Sequence, residues 1–255
     1  MSNVELYSMS FCPFAQRARL MLRRKGVDFA THEIDVTKPR SASFLQINPE
    51  GKVPVIRHEG RVLNESSVIC EYLEDAFPEP PTLPREPYTR ALARIMVDHC
   101  NNQFVPLMYR LLMNQDRSAD AKLIDQALAT WRWVDELLSR HNPNGTFLDD
   151  RDGFSLAEIN YAPFFQRYCL NEHYRGFRLP DEAGFARVRR FRDALLGDAL
   201  VKETGMSDED FIKLYFDYSL GFGNGSVPPG RERSSFDLSV PLAERPLPPA
   251  APRAV

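Results

Sequence analysis

The spacing of hydrophobic residues along the chain changes near residue 80. Before that point, short apolar runs with the alternation typical of strands occur at VELYSM, FATHEI, VPVIR and RVLN. Two longer stretches, from Pro13 to about Lys25 and from about Glu65 to Ala76, instead repeat with a helical period. This order predicts a βαβ unit followed by a β-hairpin and a helix.

After the proline-rich linker PEPPTLPREP, apolar residues recur every three or four positions and no strand pattern remains. The pattern predicts helices over residues 92–111, 124–138, 185–196 and 208–218, the first of them kinked at Pro106. A further helix should begin at FSLAEI, where Ser155 and Glu158 can form a capping box. We therefore expect an all-α region in the second part of the chain.

These patterns divide the chain into residues 1–78, a linker at residues 79–90, an all-helical region at residues 91–222 and an extension at residues 223–255. Because the extension is rich in glycine and proline, it should form an extended strap or a partly ordered tail. The GFGNGS segment follows a helix and precedes prolines, whereas a phosphate-binding turn joins a strand to a helix. We therefore predict a loop there and no nucleotide site.

Composition excludes several classes of protein. The chain has 255 residues, of which 43% are hydrophobic and 26% charged, and its net charge is −3, which argues against a nucleic-acid partner. No secretory signal or run of about 18 apolar residues appears, so we expect a cytoplasmic protein that does not span a membrane. The histidines and cysteines lack metal-ligand spacing, so no metal is expected.

The lone cysteine in SFCPFAQR is the main candidate for chemistry. Cys12 falls at the start of the first predicted helix, where backbone N–H groups, the helix dipole and Arg17 should stabilise a thiolate and lower the pKa of the thiol. Since the motif reads CPFA and contains no second cysteine, any disulfide partner must come from another molecule. The other cysteines, Cys70, Cys100 and Cys169, lie in apolar helical stretches and are expected to be structural.

Two further segments indicate the chemistry of that partner. In GKVPVI, a proline interrupts a strand, so Pro54 is a candidate for a cis bond and Val53 could pair its backbone with an extended peptide. In LNESSVICEYL, Glu65 could face an ammonium group and Ser66 a carboxylate, although this motif taken alone would favour ordinary helix capping. A thiol, a peptide backbone and an α-amino acid end together match glutathione.

At SFCPFAQR, KP, VPV and NES, the sequence resembles the glutathione transferase family, and in particular its cysteine-bearing omega class. The resemblance implies a thioredoxin-like glutathione-binding domain at residues 1–78, an all-α substrate domain and a homodimer. It also implies that Cys12 is the active thiol and that glutathione, as co-substrate, is bound by six residues: Phe14, Lys38, Val53, Pro54, Glu65 and Ser66.

The segment LYFDYSLGFGNGSVPPGRERSSF resembles the tail of bacterial omega-like glutathione lyases that act in the breakdown of lignin aryl ethers. This resemblance implies that Cys12 removes glutathione from an α-glutathionyl aryl ketone through a mixed disulfide, which a second glutathione resolves. Tyr215 and Tyr218 would then assist the departing enolate, unless they only pack the last helix. A general omega-type thiol transferase or dehydroascorbate reductase, or a non-catalytic ligand-binding or interaction module, would also suit the sequence.

Overall fold

A computed structural model of the chain describes residues 4–150 and 154–251. A four-stranded mixed sheet contains β1 (Val4–Ser8), β2 (Phe29–Glu33), β3 (Val55–His58) and β4 (Arg61–Asn64). The strand order is β2-β1-β3-β4, with β1 parallel to β2 and antiparallel to β3. This arrangement is a βαβ unit followed by a β-hairpin, as predicted.

Three helices accompany the sheet: α1 (Pro13–Arg24), α2 (Ala42–Ile47) and α3 (Ser66–Ala76). The helix α1 connects the two parallel strands, and its buried face packs beside α3. The sequence did not predict α2, because this six-residue helix buries only Phe44 and therefore shows no helical period. Between β2 and β3 the Val53–Pro54 peptide bond is cis, as predicted.

The remaining helices form a large bundle, and in chain order they are α4 (Pro87–His99), α5 (Val105–Met113), α6 (Asp120–His141), α7 (Leu156–Arg175), α8 (Ala186–Gly197), α9 (Ala199–Thr204), α10 (Asp208–Leu214) and α11 (Phe216–Ser219). A π-helical segment, Cys100–Phe104, joins α4 to α5 in the region where a kink was predicted. The helix α4 begins at Pro87, inside the stretch predicted as a linker.

Two details of the bundle differ from the prediction. The short helix α9 was missed, and the helix predicted over residues 208–218 is divided at Tyr215 into α10 and α11. The predicted capping box of α7 is confirmed, since the Glu158 carboxylate accepts from the backbone N–H of Ser155 and the Ser155 hydroxyl accepts from the first turn. The fold is therefore a thioredoxin-like sheet with an all-helical bundle, as the sequence predicts.

The last described part of the chain, residues 223–251, is an extended strap with one short 3₁₀ turn at Leu242–Glu244. It lies against α10 and α11, and Phe236 in its middle is only 7% exposed. Among the described helices, none is both long enough and apolar enough to cross a membrane.

Candidate active site

Cys12 is the N-cap residue of α1. Its backbone is extended (φ −72°, ψ 123°), Pro13 follows at the first helical position, and the thiol makes no capping hydrogen bond. The backbone N–H groups of Ala15 and Phe14 point towards the sulfur, and the sulfur lies 4.0 Å from the carbonyl oxygen of Val53. A helix N-terminus therefore faces the thiol, in the position that the sequence indicates.

The prediction of a low pKa for Cys12 is wrong. Burial raises the pKa of the Cys12 thiol above its ordinary value, and the N–H groups of Ala15 and Phe14 counteract this effect only in part. The sequence reveals the helix N-terminus, but it does not reveal the apolar wall that removes water from the sulfur. In this site, desolvation outweighs the helix dipole.

The expectation that Arg17 lies beside the Cys12 thiol is also wrong. Arg17 is 1% exposed and turns away, donating from Nε to the carbonyl of Asn160 (3.1 Å) and from Nη1 to the Ser66 hydroxyl (3.2 Å). The charges that favour a Cys12 thiolate come instead from Arg167 and Arg19. Sequence reasoning missed Arg167, whose only signal is a single charged residue in the apolar segment APFFQRYCL of α7.

Cys12 opens into a cavity of about 300 Å³ with mainly apolar and aromatic walls. These walls come from six parts of the chain: the loop before α1, α1 itself, the loop after β2, α5, the α10–α11 segment and the strap. The apolar and aromatic residues among them are Met9, Phe11, Phe14, Val36, Tyr109, Met113, Tyr215, Tyr218 and Phe236. Such a lining suits a flat aromatic group placed next to the sulfur.

The two predicted tyrosines both line this cavity, but their hydroxyl groups have different partners. The Tyr215 hydroxyl donates to the carbonyl of Phe11 (3.2 Å) and accepts from Nε of Arg167 (3.2 Å). Burial raises the pKa of Tyr215, and the charge of Arg167 acts in the opposite direction. The Tyr218 hydroxyl instead donates to Oδ1 of Asn224 and accepts from its backbone N–H, and burial raises the pKa of Tyr218 to about 12.

The strap supplies one wall of the cavity. The Phe236 ring stacks on Phe11 with a centroid separation of 5.0 Å and contacts Tyr215 and Tyr218 edge-on at 5.2 and 5.5 Å. The strap is attached through Asp217, a buried residue whose carboxylate pairs with Arg231 and accepts from the backbone N–H of Ser235 at 2.6 Å.

The residues expected to bind glutathione lie on more than one side of Cys12. Phe14 is 37% exposed, lines the cavity and packs edge-on against Phe164. Val53 lies directly across from the thiol, and Pro54 is buried behind it. These positions leave the sulfur between the aromatic cavity and the cis-proline loop.

The other three candidates, Glu65, Ser66 and Lys38, differ in their exposure and in their partners. Glu65 is exposed at the N-terminus of α3 with φ +65°, a strained backbone angle for a non-glycine residue, and its side chain makes no capping hydrogen bond. Ser66 is buried and is linked to α1 through Arg17. Lys38 is exposed and paired with Asp35 (3.0 Å), and it directly follows Val36 and Thr37 of the cavity wall. Within residues 4–150 and 154–251, no group of three or more His, Cys, Asp or Glu side chains could hold a metal ion.

The chain is similar to proteins of known family. The family model described as "Glutathione S-transferase, N-terminal domain" matches residues 6–81. Glutathione S-transferase U10 of Arabidopsis thaliana is 34% identical over 213 residues, 83% of this chain and 90% of that protein. Glutathione S-transferase omega-1 of Sus scrofa is 33% identical over 167 residues, 64% of this chain and 66% of that protein. The crystal structure of glutathione transferase Omega 3C from Trametes versicolor has a TM-score of 0.74 and 32% identity, and the match covers 85% of this chain and 90% of that one.

Proposed function

Because this chain belongs to the glutathione S-transferase family and has omega-class homologues, we propose that it is a glutathione lyase acting on α-glutathionyl aryl ketones. The observation that carries the proposal is the position of Cys12, whose thiol lies at the N-terminus of α1 and at the edge of an aromatic cavity. A cysteine suits attack on sulfur, whereas it would repel a glutathione thiolate held beside it for conjugation. The aromatic lining supports an aryl group as the part of the substrate that leaves.

In the proposed reaction, the Cys12 thiolate attacks the sulfur of the glutathionyl thioether. A sulfur–sulfur bond forms, the carbon–sulfur bond breaks, and its electron pair departs with the carbon as an enolate stabilised by the adjacent carbonyl. The enolate takes a proton and becomes the ketone. A second glutathione then attacks the mixed disulfide as a thiolate, which releases oxidised glutathione and restores the Cys12 thiolate. Overall, thioether and glutathione give ketone and glutathione disulfide.

Tyr215 is our candidate for the group that gives the enolate its proton. Its hydroxyl lies at the mouth of α1, hydrogen-bonded to the carbonyl of the residue before Cys12. Tyr218 has both of its hydroxyl contacts on Asn224, so we assign it the role of holding the 221–226 loop and forming the cavity wall. The two tyrosines should therefore differ in their effect on the rate of ketone release.

We propose that glutathione lies across the cis-proline loop, with its peptide backbone paired to Val53 and its sulfur facing Cys12. Glu65 would face the ammonium group and Ser66, at the start of α3, the carboxylate. Phe14 and Pro54 would pack beside the thiol end of the ligand. Lys38 would have to leave Asp35 to reach the ligand, so we expect it to contribute least.

The decisive experiment gives the parent protein and Cys12→Ser an α-glutathionyl aryl ketone together with glutathione, and follows both ketone and glutathione disulfide. The parent should release the two products in equal amounts, and the variant should release neither. A parent that releases no ketone but reduces a small glutathione mixed disulfide would be a thiol transferase instead. Equal activity of parent and variant would refute both the lyase and the thiol transferase assignments, and no activity of the parent in either assay would leave a non-catalytic, ligand-binding role.

Two further expectations belong to this proposal. The family resemblance implies a homodimer, which light scattering after gel filtration tests directly. A reaction that needs reduced Cys12 and abundant glutathione suits the cytoplasm, and fractionation of the source cells would test that location.

A further inference from the structure

Arg167 is a buried side chain that connects Cys12 with Tyr215. It projects from α7 and is 1% exposed. Its Nη2 donates to the carbonyl of Phe11 (2.8 Å), immediately before Cys12, and its Nη1 donates to Oε1 of Gln16 (2.9 Å), one turn after it. Its Nε donates to the Tyr215 hydroxyl (3.2 Å). One guanidinium group therefore contacts the residue before Cys12, the first turn of α1 after it, and the candidate proton donor Tyr215.

Within residues 4–150 and 154–251, the charge of Arg167 has no carboxylate partner. Its hydrogen bonds within the described chain go to neutral acceptors, namely the carbonyls of Phe11 and Pro163, the Gln16 amide and the Tyr215 hydroxyl. Among the residues that the structure describes, none forms an ion pair with Arg167, and its guanidinium carbon lies 4.4 Å from the ring centre of Phe211. A buried cation in such surroundings is costly unless an anion forms nearby. The groups near it that can become anionic include the Cys12 thiol and the Tyr215 phenol, and the charge of Arg167 lowers the pKa of both.

We propose that Arg167 is a positioning residue, which fixes the Tyr215 hydroxyl beside Cys12 and balances the negative charge that forms alternately on these two side chains. This inference rests on the proposed lyase function. Before attack, the anion is the Cys12 thiolate. After the carbon–sulfur bond has broken, Tyr215 gives its proton to the enolate carbon and becomes a phenolate that still accepts from Nε of Arg167.

The same arrangement returns the proton. The thiol of the second glutathione gives its proton to the Tyr215 phenolate, and the resulting thiolate attacks the mixed disulfide and releases the Cys12 thiolate. The proton that enters the ketone is thus replaced by the proton of the second glutathione. At each stage one negative charge lies near Arg167, so its positive charge is never without a partner once the cycle has begun.

Other groups also face Cys12, and the test must separate them from Arg167. Arg19 contributes a second positive charge from α1 itself, and the phenols of Tyr109, Tyr215 and Tyr218 surround the cavity.

Arg187 offers a matched control. It is also a buried arginine whose side chain donates to backbone carbonyls, but these belong to Asn142, Thr146 and Phe147 and lie away from the cavity.

The experiment compares the parent, Arg167→Gln, Arg167→Lys and Arg187→Gln by two measurements. The first is the rate of Cys12 alkylation by iodoacetamide between pH 6 and 10, followed by intact mass with Cys12→Ser as background. The second is kcat for ketone release. We expect Arg167→Gln to move the midpoint of the alkylation profile upward by about one pH unit and to lower kcat about 30-fold, as one lost hydrogen bond to a charged group would. Arg187→Gln should leave both unchanged.

Arg167→Lys separates charge from geometry, because lysine keeps the positive charge but cannot reproduce the planar set of donors. Its alkylation midpoint should remain near that of the parent while kcat falls about tenfold. If Arg167→Gln does not fold, Arg167→Lys tests the inference by itself. An unchanged kcat, or an alkylation midpoint that rises by the roughly one pH unit predicted for Arg167→Gln, would overturn the inference. A parent that releases no ketone would refute the lyase proposal, whereas the alkylation profiles would still decide whether Arg167 stabilises the Cys12 thiolate.

Discussion

Replacing Phe236 with alanine tests whether the strap selects the substrate. The Phe236 ring is almost fully buried and contacts three other rings of the cavity wall, those of Phe11, Tyr215 and Tyr218. Truncating a buried phenylalanine costs about 3–5 kcal/mol, and an aromatic pair contributes about 0.5–1.5 kcal/mol beyond its buried area. Since a bound aryl group would lose one such partner, its binding should weaken by about 1.4 kcal/mol, which is about tenfold in KM.

The assay compares two substrates that share glutathione but differ in the leaving group. For an α-glutathionyl aryl ketone, Phe236→Ala should raise KM about tenfold, whereas for the mixed disulfide of glutathione with a small alkyl thiol it should change KM less than twofold. Leu238→Ala is the matched control, because Leu238 lies in the same strap but is 46% exposed. An unchanged KM for the aryl ketone would refute the assignment of this wall. An equal increase for both substrates would show that the strap supports the whole site rather than the aryl group.

Three other changes have defined outcomes. Glu65→Gln should raise KM for glutathione about tenfold, with little change in stability because the Glu65 side chain makes no capping hydrogen bond. The control Glu59→Gln, in the hairpin turn, should leave KM for glutathione unchanged, and equal KM values for the two variants would contradict the assignment. Asp217→Asn should loosen the strap and speed tryptic cleavage within it, because the buried Asp217 carboxylate loses its charge-assisted hydrogen bonds to the half-exposed Arg231 and to Ser235, at a cost of about 2 kcal/mol. Unchanged proteolysis would count against that anchor. Burial lowers the pKa of His99 to about 4, so stability present above its unfolded pKa of 6.5 is lost as the pH falls towards 4. Between pH 7.5 and 4.5 the parent should therefore lose about 2–3 kcal/mol more unfolding free energy than His99→Phe in urea titrations, and equal losses would exclude His99 as the cause.

Local sequence signals were sufficient where an element is long or carries a complete capping box, whereas the single N-cap residues of the short helices, Ser41 and Asp198, were not enough. The βαβ order, the cis bond before Pro54 and the Ser155–Glu158 capping box each depend on residues close together in the chain. The short helices α2 and α9 gave no comparable signal. Each has six residues, and their buried side chains are one in α2 and two in α9, so no period can be read from them.

The site was harder to predict because its electrostatics depend on residues that are distant in the chain. Arg17 is five positions from Cys12, but its place on α1 directs it towards α7 and Ser66. Arg167 is 155 positions away and reaches the carbonyl next to Cys12. Sequence spacing on one helix predicts which residues share a face, but it does not show which neighbouring helix covers that face.

The raised pKa of Cys12 and the aromatic cavity have one structural origin. The rings that surround the sulfur, including Tyr215 and the strap residue Phe236, remove water from the thiol and also form the proposed surface for the aryl group. A wall of this kind disfavours an isolated thiolate, so the helix N–H groups and the charge of Arg167 must compensate for it. A more open site would give a more acidic cysteine but no place for the ring. In the proposed lyase, the strap and the buried Arg167 therefore depend on each other, because a wall that binds the aryl group requires a fixed cation behind the thiol.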